Sequence, residues 1–94
     1  MRDLEEVRAR IDAIDGELVR LLAERQGAVK AAAAFKKDEG AVRAPGRVEQ
    51  VVALARGRAR EAGLEPAVAE AVWRAMVGAF IELELDEHAR GGPS

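Results

Sequence analysis

The sequence predicts an all-α protein of three helices, one long and two shorter, assembled as an intertwined homodimer. Three observations carry that expectation. Apolar residues recur at three- and four-residue steps through most of the chain. The 94 residues are rich in Ala, Leu, Val, Arg and Glu and poor in aromatics and Thr, which favours helix over sheet. The first apolar stripe is also longer than a lone chain of this size can cover.

That stripe runs through Leu4, Val7, Ile11, Ile14, Leu18, Leu21, Leu22, Val29 and Ala32, and no proline interrupts the chain from Leu4 to Lys37. One long first helix is therefore expected over 4–37, closed by Asp38-Glu39-Gly40, with 40–44 as the connecting loop. Pro45 suits a first helical turn, and Val48, Val51, Val52 and Ala55 stripe a second helix ending near Gly63. Pro66 opens a third helix in the same manner, to about His88. At about 1.5 Å per residue the first helix spans roughly 50 Å. A compact chain of this length has a radius of gyration of about 12 Å. Pairing two copies along their long helices, with the shorter ones folded over them, covers the stripe. A single helical domain over 1–90 and a flexible tail at 91–94 complete the expected organisation.

The totals exclude several function classes. A net charge of −2 conceals 15 basic and 17 acidic residues, so no overall sign invites nucleic acid or a membrane surface. The arginines at 43, 47, 56, 58 and 60 of the second helix read as a solvated face, in the absence of interleaved aromatics. No cysteine provides a disulfide or thiolate ligand, and no secretory apolar region or membrane span is evident, so a cytoplasmic protein is expected. His88 is the only histidine and falls at a helix end, which leaves little support for a histidine acid–base or triad mechanism. No metal spacing or hydrolytic carboxylate pair stands out.

The informative charges are those on apolar faces. At 100° per residue, Arg25 lies among Leu18, Leu21 and Leu22, and Lys36 falls three turns later on the same face. Arg and Lys are seldom buried without an anionic partner. Arg8 projects from a flank that can reach across a dimer. Near the C-terminus, "FIELELDEH" alternates like a strand, yet at helical spacing Glu84 falls between Trp73 and Val77 inside the apolar arc. Glu82, Asp86 and Glu87 fall at its edges. Arg25 and Lys36 can snorkel past the rim, or pair with Glu84 for structure alone. Together with Arg47, however, several cations and one carboxyl group, with no nucleophile or phosphate loop, point to a small multi-anionic ligand.

The stretch "VRARIDAIDGELVRLLAERQGAVKAAAAFK", Val7 to Lys36, resembles the opening of the AroQ class of chorismate mutases, and the likeness continues through "VRAPGRVEQVV" into the third helix. The resemblance implies an intertwined helical dimer with sites shared between subunits. Arg8 from the partner would bind one substrate carboxylate and Arg25 the other. Lys36 would sit at the ether oxygen, with Arg47 adding charge near the ring. Glu84 falls where many members have a glutamine that donates to the same oxygen; some fungal members have glutamate. The implied reaction, chorismate to prephenate, is a unimolecular rearrangement that needs no cofactor or metal. Val48, after Arg47, stands where typical mutases have a hydroxyl-contacting glutamate. The stretch "VKAAAAFKKDEGAVRAPGRVEQ" also resembles isochorismate pyruvate lyases, which have an apolar residue there. A mutase acting on the 4-amino analogue of chorismate and a non-catalytic helical dimer that binds a partner are the other readings.

Overall fold

The computed structural model describes residues 3–90; the tail expected at 91–94 lies outside them. All of the regular structure among the described residues is helical: α1 Leu4–Ala33, α2 Glu39–Arg43, α3 Pro45–Ala62 and α4 Pro66–Ala89. The chain divides into two units, 1–31 and 32–94, each described by itself.

The first unit is the long α1. Asp3 starts it, accepting the Glu6 N–H on its carboxylate at 2.9 Å and the Val7 N–H on its carbonyl at 3.2 Å. Glu5 and Glu6 in the first turn and Lys30 in the last complement the helix dipole. Arg20 pairs with Glu17 at 2.9 Å and more loosely with Glu24 at 3.8 Å. Leu4, Ile11, Ile14, Leu18, Leu21 and Leu22 are 39–59% exposed, and no residue of α1 is buried.

Two sequence expectations are corrected at the junction that follows. The first helix stops at Ala33, not Lys37, because the chain tightens: the Phe35 and Lys36 N–H groups bond the Ala32 and Ala33 carbonyls, both at 3.0 Å and three residues back. Lys36 therefore lies beyond the helix, where helical spacing no longer assigns it a face. The expected loop at 40–44 instead contains α2. Asp38 adopts an extended backbone and caps α2 by accepting the Ala41 N–H at 2.8 Å, which favours a new helix over continuation of the old one.

In the second unit α3 packs on α4, and α2 packs on α4. The core comprises Val42 of α2, Val52, Ala55 and Ala59 of α3, and Ala69 of α4. The buried residues of α3 and α4 at this packing are small, Val52 being the largest of the apolar ones. Gly63 turns the chain at the end of α3 with φ 80°, and its N–H and that of Leu64, at 2.8 Å, both reach the Ala59 carbonyl. At the other end Ala44 closes α2 and precedes Pro45 with φ 31°, a left-handed conformation that its Cβ disfavours. Among the described residues no helix is long and apolar enough to cross a membrane.

Candidate functional site

The second unit brings Lys36 and Glu84 together. Lys36 occupies the irregular stretch between the close of α1 and the cap of α2, and Glu84 lies on α4. The Lys36 Nζ donates to both carboxylate oxygens of Glu84, at 3.1 Å to Oε1 and 3.0 Å to Oε2. The Glu84 side chain is 4% exposed, whereas that of Lys36 is 28% exposed. Glu82 faces solvent while Leu83 and Leu85 are half-buried, so the strand-like alternation is the rim of a helix.

This geometry has a chemical consequence. A carboxylate as buried as Glu84 is tolerated because a cation and two charge-assisted hydrogen bonds compensate its lost hydration. An ammonium has three donors, and Glu84 engages two of them. The partly exposed lysine can therefore present its remaining donor to an incoming oxygen. The pair is a fixed cation and a carboxyl group aimed at one another, with the cation on the accessible side.

The other predicted residues are placed separately. Arg47 lies in the first turn of α3, exposed, with its Nη1 donating to Gln50 Oε1 at 2.6 Å. Val48 beside it is half-buried. Arg8, exposed, and Arg25, half-buried, both lie on α1 in the first unit.

One cluster was not singled out by sequence reading. Arg74 of α4 binds Glu49 of α3 in a two-pronged contact, Nη1 to Oε2 at 2.8 Å and Nη2 to Oε1 at 2.9 Å. Its Nε also donates to Glu70 at 3.0 Å, and Glu70 accepts from Arg56 of α3 at 2.6 Å. The hydrogen bond from Arg74, reinforced by its charge, holds the Glu49 carboxyl below its ordinary range. Hydrogen bonds from Arg74 and then Arg56 do the same for Glu70, and the two carboxylates hold Arg74 above its ordinary value. The pairing of Arg56 withdraws it from the solvated arginine face. The available signal was faint: Glu70 and Arg74 are four residues apart, and Glu49 and Arg56 share a helix face with Val52. Among the described residues no group of His, Cys, Asp or Glu is arranged to hold a metal ion.

Compared with known families, residues 7–85 match chorismate mutase type II. The chain belongs to the chorismate mutase type II family. The match spans α1 from its first turn to Leu85 of α4, so it contains both members of the Lys36–Glu84 pair. This family membership bears out the resemblance to the AroQ class and its all-α fold. The chain is also similar to an isochorismate pyruvate lyase of Pseudomonas aeruginosa, 35% identical over 82 residues that cover 87% of this chain and 81% of the relative. A chorismate mutase type II chain with such a relative is an enzyme of the chorismate-metabolising type.

Proposed function

We propose that the protein is a homodimeric chorismate mutase that rearranges chorismate to prephenate, with Lys36 and Glu84 at the ether oxygen. The observation that carries this reading is the contact of Lys36 Nζ with both oxygens of a Glu84 side chain that is 4% exposed. In the rearrangement the ether C–O bond breaks as the enolpyruvyl methylene bonds to the ring, and negative charge builds on the departing oxygen. No nucleophile or proton transfer is required. The remaining Lys36 donor neutralises that charge. Glu84, which accepts from Lys36 through both oxygens in the free chain, must take up a proton and turn one oxygen to the substrate to donate a second hydrogen bond, since as an ion it repels the departing oxygen. Because Lys36 is already held in place, its charge needs little reorganisation during the bond change.

The resemblance supplies the rest of the proposed site. Arg25 binds one carboxylate, and Arg8 of the partner subunit binds the other. Arg47 adds positive charge beside the ring, and Val48 lines it. Pairing two α1 helices also covers the stripe from Leu4 to Leu22; each leucine or isoleucine taken from water contributes about 1.5–3 kcal/mol at full burial.

A second reading is favoured by Val48 and by the lyase relative: release of pyruvate from isochorismate, leaving salicylate. There the same C–O bond breaks while a ring hydrogen moves to the enolpyruvyl methylene. An apolar residue beside the ring removes a hydroxyl-directed contact, and the charge at the ether oxygen is stabilised in the same way. Separate incubations with chorismate and isochorismate, followed for prephenate, salicylate and pyruvate, decide between them. Prephenate from chorismate supports the first reading. Salicylate and pyruvate from isochorismate, without prephenate from chorismate, replaces it with the second. Turnover of neither substrate refutes both.

A further inference from the structure

The buried residues of α3 and α4 include Val52, Ala55, Ala59 and Ala69, which are mostly small side chains, while larger ones such as Trp73 and Met76 are only half-buried. Helix packing gains its angular preference from ridges that fit into grooves, and alanines make shallow ridges. The alanines at the buried centre therefore add little resistance to rotation of α3 about its axis. The consequence is local, because the first turn of α3 carries Arg47 and Val48. That turn begins at Ala44, which has no side chain to cap it and is itself in the disfavoured left-handed region.

Two charged contacts add directional restraint to this packing. Glu49 and Arg56 lie two helical turns apart on α3, about 10.5 Å along its axis. Both are bound within a single turn of α4, by Arg74 and Glu70. An isolated exposed pair contributes little. A bidentate Arg–carboxylate contact that belongs to a network is the case in which such pairs define geometry. Rotating α3 by about 20° displaces the outer part of a side chain, about 6 Å from the axis, by about 2 Å. Misplacement of about 1 Å at a binding group can cost about 100-fold in rate.

We propose that Arg74 and Glu49 are positioning residues, whose two-pronged contact sets the rotation of α3 and thereby presents Arg47 and Val48 to the substrate ring. This rests on the functional reading above for the identity of the substrate. The clamp itself is tested without turnover. Arg74 acts through Glu49, one position beyond Val48.

The test uses the full chain carrying Glu49→Gln or, separately, Arg74→Lys, which keeps a charge but loses the fork. Amide hydrogen exchange is read at Arg47 and Val48, whose N–H groups bond the Ala44 carbonyl at 2.9 and 3.1 Å, and at the buried Ala55 and Ala59. In both variants exchange at Arg47 and Val48 rises about 10-fold while Ala55 and Ala59 stay within about two-fold. With chorismate or isochorismate, whichever the unaltered chain turns over, KM rises about 10-fold and kcat stays within about two-fold. Unchanged exchange at Arg47 and Val48 overturns the proposal. So does loosening that extends equally to Ala55 and Ala59, which marks a purely structural pair, and so does local loosening with KM unchanged. If the unaltered chain acts on neither substrate, the functional reading has failed, and the local exchange pattern alone decides whether the clamp exists.

Discussion

Replacing Lys36 with Met isolates the energetic meaning of the Lys36–Glu84 pair. Methionine keeps an unbranched side chain of similar length and removes only the ammonium, leaving a carboxyl group that is 4% exposed without its cation. Removing one partner of a fully buried pair costs about 3–5 kcal/mol, because the remaining charge is stranded. Glu84 has an escape that limits the loss: it can fold as the neutral acid. Protonating an ordinary glutamate at pH 7 costs about 2.7 pH units at 1.36 kcal/mol each, about 3.7 kcal/mol. The openness of the Lys36 side, 28% exposed, lets water compensate in part, so the expected loss at pH 7 is about 2–3 kcal/mol. The sign of its pH dependence follows. In the variant the folded state holds a proton that the unfolded state releases above about pH 4.3, so stability falls as pH rises through that region. Urea denaturation at pH 5 and pH 7 measures this: Lys36→Met is penalised by about 1 kcal/mol at pH 5 and by the larger amount at pH 7. Lys36→Met combined with Glu84→Gln carries no ionisable group there and loses the pH dependence. A Lys36→Met variant as stable as the unaltered chain at both pH values would refute the reasoning.

Glu84→Gln retains activity, because its amide donates a hydrogen bond where the ether oxygen needs one; a Gln variant that is inactive with an intact fold contradicts the role of Glu84 as donor. Arg74 holds Glu49 and Glu70 below the ordinary value of 4.5, so the folded state binds fewer protons than the unfolded state. The network's stabilisation is therefore present above about pH 4.5 and lost as pH falls through the lowered values, and Arg74→Gln flattens the acid side of a Tm-versus-pH profile. Ala44→Gly relieves the left-handed strain before Pro45 and stabilises by about 0.5–1 kcal/mol, while Gly63→Ala introduces the same strain and destabilises by about 1 kcal/mol, both read by urea denaturation. Leu18→Glu on the α1 stripe shifts the sedimentation of the chain from dimer to monomer, because it buries a charge in the proposed helix pairing.

Much of this molecule was legible in the order of its residues. The three long helices appear at the expected starts, and Pro45, Gly63 and Pro66 mark boundaries because their own backbone restrictions act locally. Glu84 was legible for a similar reason: helical periodicity places it in an apolar arc, and the structure buries it. An ion pair of Glu84 with Arg25 or Lys36 was legible only as one option, and the helix expected to carry Lys36 ends before it. Lys36 was aligned with Arg25 by assuming that the first helix continued, yet the chain leaves that helix at Ala33 and reaches Glu84 from an irregular segment. The cap at Asp38 was readable in principle, but a five-residue helix has too few residues for a periodic signal. The clamp of Arg74, Glu49, Glu70 and Arg56 was not legible, since exposed charges on separate helices resemble an ordinary solvated surface.

By itself the sequence determined the three long helices and their starts, the inward sense of Glu84 and, through the Val7–Lys36 stretch, the family. These follow from bond rotations and periodicity within a few residues, which neighbours along the chain control. Only the tertiary structure decided that Lys36 is held by both oxygens of Glu84 and that Arg74 grips α3. Those contacts join residues 48 and 25 positions apart, and their geometry depends on where each helix stops and how it packs.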